Sequence, residues 1–412
     1  MRILYTLIVE LSRLFLPVVG LFKPSIKSFL LQRKTAFHDL SDWEKRPSKK
    51  PVLWLHCASL GEYEMIVPLI SEEKIQRKFE IVISFFSASG YQHAKTDGLI
   101  SAKFYLPLDR QSEMKRLVSM VDPAVFVLVK YDFWLNLLSA VNDHACSTII
   151  VNGVFRKNQF MSSFFAGAWR KQLKKFNNIY VQNEASLNTL EGFDFRNVTL
   201  SKDLRFDRVV QLKSKNVAIP QIANFTNNQT TLILGSSWPE EEYIVLQYLV
   251  AIKPNIKVII APHDVRLEHI EKLQKDYQDF NPVLFTDTTD FTNSQVLILN
   301  TIGHLSSAYQ YASIAFVGGA FGKGLHNVLE AAVHGIPIMT GTKIEAFPEA
   351  ITLQDLGVLH ALDQDPRHFI DVIADYLENP DKLHQAKEIL SNWFEGLTGE
   401  SKKIQDYILS VS

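Results

Sequence analysis

Residues 52–70 read VLWLHCASLGEYEMIVPLI. The run 52–55 is continuously apolar, as a strand covered on both faces requires. The segment HCASLGE (56–62) follows, and helical spacing sets in over 62–70. The order is strand, short loop, helix, and open α/β sheets bind ligands where strands end and helices begin. Ser59 and Gly61 allow close backbone approach there, and the helix start offers free N–H groups to an anion. Glu62 stands at the head of the helix. A carboxylate in that place accepts a proton from a hydroxyl nucleophile or merely complements the helix dipole, and spacing alone leaves the two readings even. Cys57 reads as a buried strand residue.

The same alternation runs outward from this stretch. Short apolar runs recur at 81–84, 104–106, 125–129, 148–151 and 179–181, with helical patterns such as 110–120 between them. A polar, broken segment, QLKSKNVAIPQIANFTNNQ (211–229), reads as an interdomain linker. A second series follows at 231–234, 258–261, 283–285, 296–299, 314–317 and 336–339, and about 365–410 reads as helical. Buried strands alternating with helices predict parallel sheets. The fold expected is α/β: two doubly wound domains with a cleft between them. A length of 412 residues, 47% of them hydrophobic, agrees with two or three domains and excludes wholesale disorder. The net charge of −1 excludes bulk-charge binding of nucleic acid. Cys57 and Cys146 form no CxxC pair, which argues against a disulfide framework or a thiolate zinc site.

In the second half, FVGGAFGKGLHNVLEAA (316–332) is again strand, loop and helix, with five glycines between residues 317 and 335. It is neither GxxxxGK[ST] nor a simple GxGxxG. The glycines Gly318 and Gly319 predict a loop whose backbone, with the following helix start, meets a phosphate. Glu330 follows Asn327 by three residues and His326 by four, so a helix puts them on one side, placed to hold the hydroxyls of a ribose. After the strand at 231–234, Ser236 or Ser237 reads as a helix cap with Glu240 and Glu241 in the first turn. Gly235, Ser236, Pro262 and His263 also follow predicted strands. No metal-binding set stands out: the histidines are scattered, HExxH is absent, and Asp363-Gln364-Asp365 reads as a solvated turn.

Residues 3–22, ILYTLIVELSRLFLPVVGLF, are long enough to cross a hydrocarbon core, but Glu10, Arg13, Pro17 and Gly20 interrupt them. Glu10 and Arg13 lie three apart, so they share one helix face and can pair. An amphipathic anchor in the membrane interface is the preferred reading, ahead of a spanning helix, a core helix or a signal peptide. Residues 1–50 carry a net +6 against −7 for the rest, which suits an anionic cytoplasmic leaflet.

Eight motifs together resemble the 3-deoxy-D-manno-octulosonic acid (Kdo) transferases of lipopolysaccharide assembly. They are WLHCASLGE (54–62), SFFSASGY (84–91), YLPLD (105–109), DFW (132–134), RFDRV (205–209), GSSWPEEE (235–242), APH (261–263) and the glycine segment 316–332. The resemblance implies a GT-B fold of two Rossmann-like domains facing across a cleft, behind an N-terminal membrane-anchor helix. Boundaries of 1–30, 31–212 and 213–412 follow for anchor, acceptor domain and CMP-sugar-binding domain. It implies inverting, metal-independent transfer of Kdo from CMP-Kdo, a substrate and not a cofactor, to the lipid A precursor at the cytoplasmic face of the inner membrane. Glu62 matches the general base. Ser59, Gly61, Asp132 and Arg205 match the substrate-binding parts of the first domain. Gly235, Ser236, Pro262, His263, Gly318, Gly319, Lys323, His326, Asn327 and Glu330 match those of the second. Arg205, Lys130 and Lys323 are candidates for the sugar carboxylate and acceptor phosphates. The sequence departs from the family pattern at Lys130, where an acid is common, and at Lys202, where glycine is common. Another GT-B enzyme, such as a nucleotide-sugar epimerase, and a non-catalytic CMP-binding membrane protein are the competing readings.

Overall fold

The computed structural model describes residues 1–45, 50–96, 98–157, 164–215, 217–287, 291 and 293–411. The chain divides into two compact units, Met1–Arg208 with Leu397–Ser412, and Val209–Gly396. The final helix, Glu400–Ser410, therefore belongs to the first unit, where the sequence boundaries put it in the second domain. Ile404 and Ile408 enter the first unit's core, and Gln405 donates to the carbonyls of Pro68 and Leu69.

The first unit opens with three helices, α1 (Arg2–Phe22), α2 (Pro24–Lys34) and α3 (Ala36–Glu44). Seven parallel strands follow: β1 (Val52–Cys57), β2 (Glu80–Phe85), β3 (Ala102–Tyr105), β4 (Pro123–Val129), β5 (Ser147–Gly153), β6 (Asn178–Val181) and β7 (Val198–Leu200). Their order is β3-β2-β1-β4-β5-β6-β7. Every residue of β1 is buried. Leu53, Leu55 and Cys57 join the core on one face, and Val52 and Trp54 the core on the other, as a strand's two-residue period demands.

The second unit repeats the plan with β8 (Thr231–Ser237), β9 (Lys257–Pro262), β10 (Val283–Leu284), β11 (Val296–Ile298), β12 (Ile314–Val317), β13 (Ile338–Gly341) and β14 (Leu359–Leu362). Their order is β10-β11-β9-β8-β12-β13-β14, again all parallel. In each sheet the strand order reverses beside the first strand, between β1 and β4 and between β8 and β12. Loops leaving two such strands diverge, and the space between them is where doubly wound sheets bind ligands. The segment 211–229, read as an interdomain linker, carries helical structure. It contains the end of the helix Leu204–Lys215 and a second helix, Pro220–Thr226.

Helix α1 is neither a core helix nor free of the body. Its apolar side chains face outward: Ile3, Leu7, Leu11, Leu14, Phe15, Leu21 and Phe22 are all more than half exposed. Its polar side is bonded to the first unit. Tyr5 Oη donates to Asp109 Oδ2 at 2.8 Å, Thr6 Oγ1 to Asn136 Oδ1 at 2.9 Å, and Arg110 Nε to Glu10 Oε2 at 2.9 Å. Glu10 thus pairs with Arg110, 100 residues away, and not with Arg13. Burial pushes the Asp109 carboxyl up to about 6, against the N–H groups of Asn136 and Leu137 and the Tyr5 hydroxyl, which favour its charge.

Candidate active site

In the first unit, β1 ends at Cys57 and α4 (Leu60–Ile70) begins after Ser59, the residue in capping position. Glu62 is 7% exposed and accepts the backbone N–H of Ala58 on Oε2. Anchoring one oxygen fixes the side-chain rotamer. Burial raises the carboxyl's pKa and Asp132 adds to the rise, while the Ala58 N–H, His56 and Lys130 oppose it. Gly61, one residue before, is exposed, and a Cβ built there would meet nothing within 4 Å. Folding therefore does not require glycine at this position.

Beside Glu62 lies a polar chain that the sequence reading did not assemble. Trp54 Nε1 donates to Ser84 Oγ at 2.9 Å, Ser84 Oγ lies 2.9 Å from His56 Nδ1, and His56 Nε2 lies 2.9 Å from Asp132 Oδ2. The ionised Asp132 can only accept, so Nε2 carries the hydrogen of that bond and Nδ1 of the neutral imidazole accepts from the Ser84 hydroxyl. Trp134 Nε1 donates to the same oxygen at 2.9 Å. These donors hold the Asp132 carboxyl below the usual range although its burial opposes them. Two carboxyl groups at the β1–β4 switch point are thereby pushed in opposite directions, Glu62 up and Asp132 down, which is how an acid–base pair divides its roles. The signal for His56 was its place at the strand end; its partners are 28 and 76 residues away.

At the carboxyl ends of two strands a residue adopts left-handed backbone, Lys130 just after β4 (φ 61°) and Asn152 at the penultimate position of β5 (φ 57°). Such conformations in side-chain-bearing residues concentrate at functional sites. Asn152 bonds Asp203 and the N–H of Leu204, and Asp203 pairs with Arg205 at 2.7 Å. Arg205 therefore lies along the carboxyl ends of the same sheet, oriented by a buried aspartate.

In the second unit, the predicted residues gather at the carboxyl ends of β8, β9 and β12. The rings of Trp238 and His263 stack at 4.4 Å, and His326 lies 4.9 Å from His263. Trp238 Nε1 donates to His326 Nε2 at 3.1 Å, which leaves Nδ1 as the protonated nitrogen of the neutral imidazole. Burial and the neighbouring His263 lower the pKa of His326. Lys323 Nζ lies 5.3 Å from the Trp238 ring. Asn327 donates to Glu330 at 3.0 Å, so these two also meet as expected.

The glycine loop differs from the expected phosphate cradle. A Cβ at Gly318 would collide with the Ser236 carbonyl, and one at Gly319 (φ +96°) with that of Gly324. These glycines let the chain pack on itself. The N–H groups of Gly322, Lys323 and Gly324 all donate to Gly319 O, that of His326 to Gly318 O, and that of Gly318 to Gly235 O. The N–H of Gly319 goes to the fully buried carboxylate of Glu241, whose other oxygen takes the N–H of Trp238, both at 2.9 Å. The helix cap is thus Trp238 with Glu241, not Ser236 or Ser237. The helix after the loop is only Leu329–Ala332, too short to serve as a dipole for an anion. Among the described residues, no group of three or more His, Cys, Asp and Glu side chains is gathered for a metal.

Comparison with known proteins places these residues in context. Residues 32–208 match the family described as 3-deoxy-D-manno-octulosonic-acid transferase (kdotransferase). A protein of Chlamydophila psittaci called 3-deoxy-D-manno-octulosonic acid transferase is 26% identical, over 92% of this chain and 90% of its own length. One of the same name from Aquifex aeolicus is 26% identical over 71% of this chain and 76% of its own length. Among solved structures, the UDP-GlcNAc 2-epimerase of Neisseria meningitidis aligns with a TM-score of 0.62 at 13% identity, covering 87% of this chain and all of that one. A glycosyltransferase of Rickettsia africae aligns with a TM-score of 0.54 at 8% identity, covering 88% and 99%. At such identities these structures show a shared fold alone.

Proposed function

We propose that this chain, which belongs to the 3-deoxy-D-manno-octulosonic acid transferase family, moves Kdo from CMP-Kdo to the lipid A precursor at a membrane surface. The observation that carries the reading is the buried, rotamer-fixed Glu62 with its raised pKa, set beside the ionised Asp132. A carboxylate lifted above its ordinary range is a stronger base toward a hydroxyl. In the proposed step the acceptor hydroxyl gives its proton to Glu62, its oxygen bonds to the anomeric carbon, and CMP leaves with the electron pair of the broken bond. Attack opposite the leaving group inverts that carbon. Lys323 and the imidazoles of His263 and His326 are the side chains placed to meet the nucleotide, with Asn327 and Glu330 on its ribose. Arg205 and Lys130 stand on the acceptor unit for substrate anions.

The acceptor is greasy, and α1 supports a membrane location. Its polar side is bonded to the body and its apolar side is turned out, the arrangement of a helix lying in the interface and not of one crossing it. The deciding experiment is mass spectrometry of a lipid A precursor incubated with the purified protein and a CMP-Kdo generating system. A gain of one or more Kdo masses is expected, and it must vanish in Glu62→Gln. No gain with any preparation that binds CMP would refute the assignment.

A further inference from the structure

Arg33, in the last turn of α2, is 6% exposed, and among the described residues no carboxylate lies within ion-pair distance of it. Its guanidinium carbon lies 3.3 Å from the centre of the Phe29 ring and 4.5 Å from that of Phe86. Nη1 donates to the Phe29 carbonyl at 3.2 Å and Nη2 to that of Phe86 at 2.6 Å. Nε is buried and has no hydrogen-bond partner. Two rings therefore cover the faces of the cation and two carbonyls hold part of its edge, while its remaining N–H groups are uncommitted.

Buried guanidinium groups are ordinarily paired, because aromatic faces and carbonyl dipoles compensate a desolvated charge only in part. Burial lowers the pKa of Arg33 to about 10, which still leaves it charged at neutral pH. After the Tyr105 hydroxyl, the carboxylate that acts on Arg33 is Asp132, but its Oδ2 is already bonded to His56 and Trp134. The Phe86 ring stacks on that same Trp134 at 4.9 Å. The unpaired cation thus shares an aromatic ledge with the Asp132 end of the candidate active site. The ledge begins on α2, the helix joined directly to the exposed apolar α1.

We propose that Arg33 binds an oxyanion of a substrate, through the N–H groups that the carbonyls of Phe29 and Phe86 leave uncommitted. A guanidinium edge matches a phosphate or a carboxylate in geometry as well as in charge. In the Kdo-transfer reading, on which the choice of substrate rests, two sources share this chemistry: a phosphate of the lipid-anchored acceptor and the carboxylate of the donor sugar. The continuity of α2 with α1 favours the acceptor phosphate.

The test uses the full chain in detergent micelles, with CMP present to fill the nucleotide-binding unit. Inorganic phosphate is expected to raise the Tm of the wild type saturably, beyond chloride at equal ionic strength, and to do so much less in Arg33→Lys or Arg33→Gln. In steady-state transfer, Arg33→Lys is expected to raise KM about tenfold with kcat within about twofold, the loss of one oriented contact. A rise in acceptor KM identifies the lipid phosphate, and a rise in donor KM the sugar carboxylate. An unchanged phosphate response and unchanged KM for both substrates overturn the proposal. Should both variants fail to fold, the wild type decides: no saturable phosphate response overturns it, and a KM that rises when the acceptor is dephosphorylated supports it. If the wild type transfers no Kdo but its phosphate response still depends on Arg33, the transferase reading fails and the oxyanion site stands.

Discussion

Gly61→Ala is expected to move stability and activity in opposite directions. Gly61 is the second residue of α4, exposed, and beyond its chain neighbours and its own turn of helix a methyl group there meets no atom within 4 Å. Nothing in the folded chain opposes the alanine. Replacing a helical glycine by alanine is worth about 0.5–1 kcal/mol, through helix propensity and the narrower unfolded ensemble. For a unit of this size that corresponds to a Tm rise of roughly 1–4 °C. In the transferase reading the substrate approaches this exposed helix start, because the Glu62 carboxylate needs a reacting hydroxyl in contact. Displacing a reacting group by about 1 Å can cost on the order of 100-fold in rate. We expect urea denaturation to show an unchanged or higher midpoint and steady-state transfer assays to show kcat/KM reduced at least tenfold. Full activity in Gly61→Ala would show that no substrate approaches this helix start. A loss of stability above about 1 kcal/mol would refute the steric reading of the position.

Three further variants probe the glycine loop, the Glu62 carboxyl and the outward face of α1. Glu241→Gln keeps one acceptor oxygen for two buried N–H groups, so it should cost about 1–3 kcal/mol and weaken CMP binding; denaturant titration and calorimetry check this, and unchanged values in both would remove Glu241 as the holder of the glycine loop. Because the folded-state pKa of Glu62 is raised, the stability its protonated form confers is present below the unfolded value and lost as pH climbs through the folded one. Glu62→Gln should therefore match the wild type in Tm at acid pH and exceed it at neutral and alkaline pH; a wild-type advantage at pH 8 would contradict the burial effect. Leu11→Glu combined with Leu14→Glu places charge on the outward face of α1, where both residues are more than half exposed. Sedimentation with anionic vesicles should be lost while the unfolding midpoint holds, and retained sedimentation would mean that lipid contact lies elsewhere.

What the sequence disclosed follows from the range of the forces involved. Strands such as β1 and β4 are covered on both faces, so their burial is written into consecutive residues and their positions were legible. β7 and β14 were missed because they are short edge strands with partly exposed side chains. The segment 211–229 looked broken because the polar residues Lys213, Ser214 and Lys215 are exposed at the end of one helix and Asn224 is exposed in the next. Pro220 occupies the first turn of a helix, where proline is tolerated, and Asn227 closes that helix in the left-handed conformation (φ 43°). At the candidate site, the residues that stand on strand ends were found by position alone. Those defined by a distant partner were not: His56 by Asp132, Glu241 by Gly319, Arg33 by Phe86. Glu10 shows the same limit, because its local neighbour Arg13 lost to Arg110, which only the folded chain brings near.

The two glycine-bearing loops use their glycines differently. They look alike in sequence, yet Gly61 is unconstrained by its surroundings while Gly318 and Gly319 are locked by theirs. A loop that presents N–H groups to a phosphate must leave them unbonded, and in the second loop those of residues 318, 319, 322, 323, 324 and 326 are already donated within the protein. The acceptor of the Gly319 N–H is moreover a buried carboxylate, whose charge disfavours an anion beside it. Glycine content here serves chain packing. In the transferase reading, recognition of the nucleotide phosphate falls to side chains that the packed loop presents, above all Lys323 and the imidazoles stacked on Trp238. That division explains why Glu241 lies wholly buried beneath the loop: it holds the platform, and the groups that meet the ligand stand on it.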